Sequence, residues 1–288
     1  MFKLITMLGL VLIYPSLVTA TNIQLDMASL VDDLMETSDG IKTKINLSGK
    51  QRMLTQRMTK LALLISLNIN KDKNKKSLMT FANLYNDTLE GFKGKDDKAI
   101  NAQIVVIEKA WKPFFKNVKT VVDGKDKDGK ALDYLIGNNE ALLKESNILV
   151  TKYEEGNKSQ NYMEKAMVSI INLAGRQRML TQKMTKEKLL CVKGKSENSA
   201  KLEKTVKLFD DSLTSLMKGN TKKKISKPSN KKIKDQLDKV ASIWKELKPI
   251  YENKKPTAKE LAVVIKKNSV LLKEMNIMVK MVENETEY

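Results

Sequence analysis

Residues 45–60 read INLSGKQRMLTQRMTK, and residues 171–186 read INLAGRQRMLTQKMTK. Thirteen of the sixteen positions are identical; the exchanges are Ser48/Ala174, Lys50/Arg176 and Arg57/Lys183. Other landmarks recur in the same order. Leu84-Tyr85-Asn86-Asp87-Thr88-Leu89 answers Leu208-Phe209-Asp210-Asp211-Ser212-Leu213. Trp111 answers Trp244, each in a basic, apolar segment with a proline shortly after, and Leu142-Leu-Lys-Glu-Ser-Asn147-Ile148 answers Leu271-Leu-Lys-Glu-Met-Asn276-Ile277. The spacings between partners are 126, 124, 133 and 129 residues, so the connections vary in length while the elements persist. This is the signature of a tandem duplication.

Around the repeats, the chain reads as helical. Only 12 Gly and 5 Pro interrupt 288 residues, aromatics are 5%, and Lys, Leu, Met, Glu and Gln carry the composition. These are good helix formers, and so few breakers argue against an all-β chain. In the first unit, helices are expected from about Gln24 to Asn68, then to Phe92, then to Val122, then from Ala131 to Glu155. The charged run Lys71-Asp-Lys-Asn-Lys-Lys76, the Gly94–Asp97 stretch and Asp123-Gly124 mark the breaks. Gly156-Asn157 marks the junction, and the second unit breaks at Gly194–Ser196, Gly219–Asn230 and Asn253–Thr257. Four helices with short polar connections form an antiparallel up-down bundle. The expected fold is therefore all-α: two tandem up-down four-helix bundles, residues 21–156 and 157–288, forming an intramolecular pseudo-dimer.

The first twenty residues read as an address. A basic start at Lys3 precedes an apolar run from Leu4 to Ile13, then Pro15, then Val18-Thr19-Ala20, a small-residue pattern suited to cleavage after Ala20. The competing reading is a retained anchor, against which the apolar core is short and carries Pro15 where a span would continue. Residues 1–20 are thus expected to be a signal peptide and the mature chain periplasmic, with no later span. Its formal charge remains strongly positive, +19 for the whole chain. The absence of His and a single Cys exclude a disulfide framework, a histidine metal site and a histidine base. No paired carboxylates accompany the motif, so no acid–base set is legible, and no enzymatic role, metal or cofactor is expected. Export also argues against nucleic acid as a partner.

The repeated helix has two faces to explain. On a helical projection, Leu47, Leu54, Met58 and Leu61 form one apolar stripe, suited to the core of their own bundle. Ile45, Gly49, Arg52, Met53 and Gln56 gather on nearly the opposite side, flanked by Asn46 and Arg57; the second copy places Ile171, Gly175, Arg178, Met179 and Gln182 likewise. A mid-helix glycine costs about 1 kcal/mol relative to alanine, a cost that close approach by another helix can offset. The natural partner is the matching helix of the other copy, because an up-down-up-down bundle returns the chain to its starting end. Parallel alignment then sets Arg52 opposite Arg178. Two guanidiniums ~4 Å apart at an effective dielectric near 20 repel by about 4 kcal/mol. Neither motif helix offers an acid on that face. A small oxyanion between the forks answers this need. The alternative is that each Arg is solvated or snorkels over apolar surface.

INLSGKQRMLTQRM and INLAGRQRMLTQKM resemble the signature of the PilJ-type domain, the N-terminal domain of type IV pili methyl-accepting chemotaxis transducers, and are similar to the ligand motif of NarX-like nitrate sensor kinases. The resemblance implies extracytoplasmic four-helix bundles that dimerise and bind a ligand such as nitrate where first helices meet. By position, it carries the ligand-binding role to Gly49, Arg52 and Met53 and to Gly175, Arg178 and Met179, with Gln56 and Gln182 adding neutral donors. A further arginine of the nitrate sensors falls on Arg57 but on Lys183 in the second copy, a point charge instead of a fork. No kinase or methyl-accepting module follows, so the chain resembles a sensor pair without an output. Two functions stand side by side. One is a periplasmic module that binds nitrate or nitrite and reports to a membrane chemoreceptor or sensor kinase. The other is a cationic interaction protein that binds anionic surfaces or an acidic partner without a small ligand.

Overall fold

The computed structural model describes residues 40–94, 96–156 and 162–284. Among the described residues eight α-helices run in order: α1 Ile41–Ser66, α2 Lys71–Phe92, α3 Lys98–Val122, α4 Lys130–Glu155, α5 Tyr162–Val192, α6 Asn198–Lys218, α7 Lys231–Glu252 and α8 Ala258–Asn284. The expected signal peptide and the expected start of the first helix at Gln24 lie outside the described residues. Among the described residues no helix is long and apolar enough to cross a membrane.

The fold is all-α. Each helix of a unit packs on its chain neighbours, and the first and fourth also meet: α1 on α2 and α4, and α5 on α6 and α8. This is the up-down bundle, formed twice. The most extensive contact between any two helices is α1 on α5, which joins the bundles into one pseudo-dimer. Asn46 and Gly49 of α1 lie near Arg178, and Gln56 meets Lys186, so the two helices advance together and are parallel.

The duplication reaches the core. Trp111 and Trp244 are buried, and each indole N–H donates to the helix before it, to Asn86 at 3.1 Å and Asp210 at 2.8 Å respectively. Gln51 donates to the Tyr85 carbonyl at 3.0 Å, and Gln177 to that of Phe209 at 2.9 Å. Leu54, Met58 and Leu61 are buried as their stripe predicts, and Leu47 is partly so. Yet α1 is buried on every side from Ser48 to Ile65, because its own bundle takes one flank and α5 the other. Such a helix is not amphipathic in the usual sense; its polar residues face a protein seam, not water.

One break differs from its sequence reading. Lys71–Lys76 forms the first turns of α2, and the chain turns instead at residues 67–70, where Asn68 and Asn70 adopt left-handed φ of 57° and 44°. Lysine is a good helix former, whereas asparagine tolerates the left-handed region. The two units also differ in one connection. Five residues join α2 to α3, but twelve join α6 to α7. The longer segment leaves α6 through Gly219 at φ 80°, where a Cβ would sit 2.9 Å from the Lys227 nitrogen. It then makes a short 3-10 turn, Thr221–Lys223, closed by Asn220 pairing with Ile225.

Candidate functional site

Arg52 and Arg178 meet at the α1–α5 seam, each 1% exposed. A Cβ built on Gly49 would lie 3.3 Å from Arg52 Nη2 and 3.6 Å from Arg178 Nη2; on Gly175 the distances are 3.3 Å to Arg178 and 3.7 Å to Arg52. Both guanidinium tips therefore rest over both glycines, within about 7 Å of one another. Glycine at these positions leaves room for the tips, which is a sufficient reason for its place in mid-helix.

The oxygens that receive the arginines come from four asparagines. Arg52 donates through Nη1 to Asn147 Oδ1 at 2.9 Å and through Nη2 to Asn172 Oδ1 at 2.7 Å. Arg178 donates through Nη1 to Asn276 Oδ1 at 2.9 Å and through Nη2 to Asn46 Oδ1 at 2.7 Å. Each arginine thus takes one asparagine from the fourth helix of its own bundle and one from the other motif. Acids stand behind these amides: Asn46 donates to Glu283, and Glu154 lines the same pocket wall as Asn172. The motif helices carry no acid on this face, and the counter-charges come from the ends of α4 and α8. Burial, then the neighbouring Arg176 and Arg178, push the Arg52 guanidinium down to about 9 from 12.5, with Glu154 pulling the other way. Its Nε is buried without a hydrogen-bond acceptor among the described residues. Burial likewise raises Glu154 and Glu283 above the ordinary carboxylate value.

A second polar layer lies further along the seam. Gln56 and Gln182 are fully buried, and the Lys186 ammonium donates to Gln56 Oε1 and Asn139 Oδ1 at 2.7 Å and to Glu140 at 2.6 Å. Across the pseudo-twofold, Lys60 donates to Asn268 Oδ1 at 2.8 Å, and Gln182 to the same oxygen at 3.1 Å. Met53 and Met179 are buried at the level of the arginines. Arg57 is not brought to this pair: its guanidinium lies 4.0 Å above the Phe81 ring, inside the first bundle. Its counterpart Lys183 pairs with Glu140 at 2.6 Å.

The exchange at Arg57/Lys183 travels with two others. Leu61 and Phe81 of the first copy become Glu187 and Thr205 in the second. Glu187 is 1% exposed, with Lys183 at 3.8 Å. Burial raises its pKa, and Lys186 and Lys183 only partly offset this. A raised carboxyl favours the fold while protonated, and that contribution is lost as pH rises from the ordinary carboxylate range through the folded-state value. Glu187→Leu, which restores the residue of the first copy, should therefore stabilise the chain by about 1–2 kcal/mol at pH 7. Urea unfolding at pH 7 and again below the carboxylate range checks this; the gain should shrink in acid, and an equal gain at both would refute the charge-burial account.

The sequence reading left out the asparagines as a set. Asn147 and Asn276 recur as landmarks that the sequence leaves open between lining the site and packing between helices, and Asn46 flanks the face. Their signal was present: all four stand in duplicated segments. Glu154 and Glu283 were equally visible at a shared spacing of 129, but nothing local ties them to the motif.

Comparison with known families matches residues 34–134 and 162–265 to the family described as type IV pili methyl-accepting chemotaxis transducer N-term, PilJ. The chain belongs to this family and carries it as a tandem pair. That membership places it among sensory modules of chemotaxis transducers, a non-catalytic class, with a chemoreceptor context. No curated protein and no solved structure matched the chain.

Proposed function

We propose that this chain is a periplasmic sensory module that takes one small planar oxyanion, nitrate or nitrite, between Arg52 and Arg178 and reports it to a membrane chemoreceptor or sensor kinase. The observation that supports this is the shared, buried seat of the two guanidinium tips over Gly49 and Gly175, where carboxamide oxygens of Asn172 and Asn46 accept from them. A planar oxyanion offers each fork a charged acceptor in place of a carboxamide, and charge-assisted bonds are roughly twice as strong as neutral ones. Asn46 and Asn172 then yield their places, and Asn46 keeps its bond to Glu283. Because the site is made of both bundles, occupancy changes the α1–α5 packing, a helix shift of the kind that receptors transmit. The apolar run with its small-residue end at Ala20 supports export.

The test is a thermal-shift series of the purified chain in nitrate, nitrite, sulfate and chloride. At a hundredfold excess over Kd the ligand adds about 2.7 kcal/mol. For a chain of this size that is roughly 5–10 °C in Tm. Arg52→Ala and Arg178→Ala should each lose the response. The cationic reading draws its support from the net charge of +19. It predicts equal melting in all four salts at one ionic strength, with salt-sensitive retention on anionic vesicles.

A further inference from the structure

We propose a second, outer oxyanion site at one mouth of the seam, built from Arg176, Lys223 and Asn172, through which the anion reaches Arg52. This rests on the reading above for the anion's destination, but the outer site stands on its own geometry. An open pocket of about 270 Å³ lies between α5 and the segment joining α6 to α7, with Asn172, Arg176, Lys223 and Glu154 among its walls. Asn172 is the residue that accepts from Arg52. The floor of this pocket is thus one amide away from the buried arginine.

The charges fit an anion. Arg176 is half-buried and makes no hydrogen bond or close ion pair with any described residue, although its field reaches both Arg52 and Glu154. A guanidinium fork held in a pocket with donors to spare is suited to a planar oxyanion. Lys223 brings a second cation, its Nζ only 3.4 Å from Ser215 Oγ. It is delivered by the twelve-residue connection, which the first copy lacks, and Ile225 of that segment is buried against the same wall. Glu154 is the opposing charge. It shares this wall with Asn172, and an anion seated between Arg176 and Lys223 takes up the Asn172 amide and loosens its hold on Arg52, freeing Arg52 to exchange partners.

The pseudo-equivalent mouth lacks these features. A pocket of about 420 Å³ at that end, which has Thr43 and Glu283 at the matching positions, places Lys42 beside two acids, Glu164 and Glu283. The residue matching Arg176 is Lys50, 1% exposed and so withdrawn from the surface. The short connection there supplies Asp96, which accepts from Lys44 at 2.6 Å and from Tyr153 at 2.7 Å. One mouth therefore attracts anions and the other does not, although the two arginines beneath are related by the repeat.

Two measurements test this. Crystals of the chain soaked in bromide should show an anomalous peak beside Arg176 and Lys223, which Arg176→Gln removes. No peak there in the parent, or one that persists in the variant, overturns the outer site; a peak there with none at Arg52 and Arg178 supports it and counts against the proposed function. In stopped-flow mixing with nitrate, the Arg176→Gln, Lys223→Gln double variant should associate about tenfold more slowly at low salt, the smaller end of electrostatic steering effects. Its dissociation rate should stay within about twofold of the parent's, and Lys42→Gln should match the parent in both. Equal association rates in parent and double variant would overturn the route.

Discussion

Replacing both Gly49 and Gly175 with leucine should cost at least 3 kcal/mol of stability and end any response to small anions. The alanine pair should be nearly neutral. The contrast follows from what surrounds the missing side chains. A Cβ on either glycine meets only guanidinium tips, the nearer at 3.3 Å. These are the ends of long side chains and can move by a few tenths of an ångström. Alanine also recovers about 1 kcal/mol of helix propensity at each position. Leucine adds three more carbons where both arginines lie, and both must leave. Their bonds to Asn46 and Asn172 then break, and a buried charge is left without its acceptors. Overpacking alone costs typically 1–3 kcal/mol, and a severed charged hydrogen bond adds about 1.5–3. Guanidinium chloride unfolding of the parent and the two paired variants checks both halves; a leucine pair as stable as the alanine pair would show that the helices do not approach as described.

Lys186→Met should cost about 2–4 kcal/mol and loosen the two bundles from each other. Lys186 sits on α5 of the second bundle, but all three of its acceptors, Gln56, Asn139 and Glu140, belong to the first. Burial pulls its pKa down, and Glu140 pulls it back up. Burial also works against the Glu140 carboxylate, yet Lys186 and Lys183 together hold it below the usual carboxylate range. Removing one partner of such a cluster strands the others. For a fully buried pair that costs about 3–5 kcal/mol; Glu140 is 42% exposed, so water recovers part of the loss. Scanning calorimetry should show the single unfolding transition of the parent broaden or split in Lys186→Met. An unchanged single transition at the parent's Tm would contradict a linking role. Glu140→Gln should act more weakly in the same direction, and the parent should lose this contribution as acid protonates Glu140 through its lowered folded-state pKa.

The fold was legible because duplication doubles every weak signal. The segments around Trp111 and Trp244, or Asn147 and Asn276, are ordinary helix singly; in register with their copies they delimit eight helices. The parallel seam was legible from two glycines and the parity of the bundle. What surrounds the arginines was not. Periodicity on α1 ranks residues by face, but Asn147 and Asn276 come from helices about a hundred residues away, and no pattern on α1 names them. The acids that balance the site stand one residue further out, behind amides, so an inspection of the motif for Asp or Glu finds none. Arg57 was placed at the edge of the face by angle alone. A long side chain can swing to either flank, and the Phe81 ring decides the matter in the first bundle, a contact absent from the second where that residue is Thr205.

The most direct test of the shared arginine seat is a calorimetric titration of nitrate into the purified chain, with chloride as the reference. One nitrate should bind tightly per chain, since Arg52 and Arg178 enclose a single place, with only a weaker phase from the outer site beside Arg176, and either arginine replaced by alanine should abolish the tight phase. Two equivalent sites per chain, or a parent signal that survives both replacements, would contradict a site made jointly by the two halves.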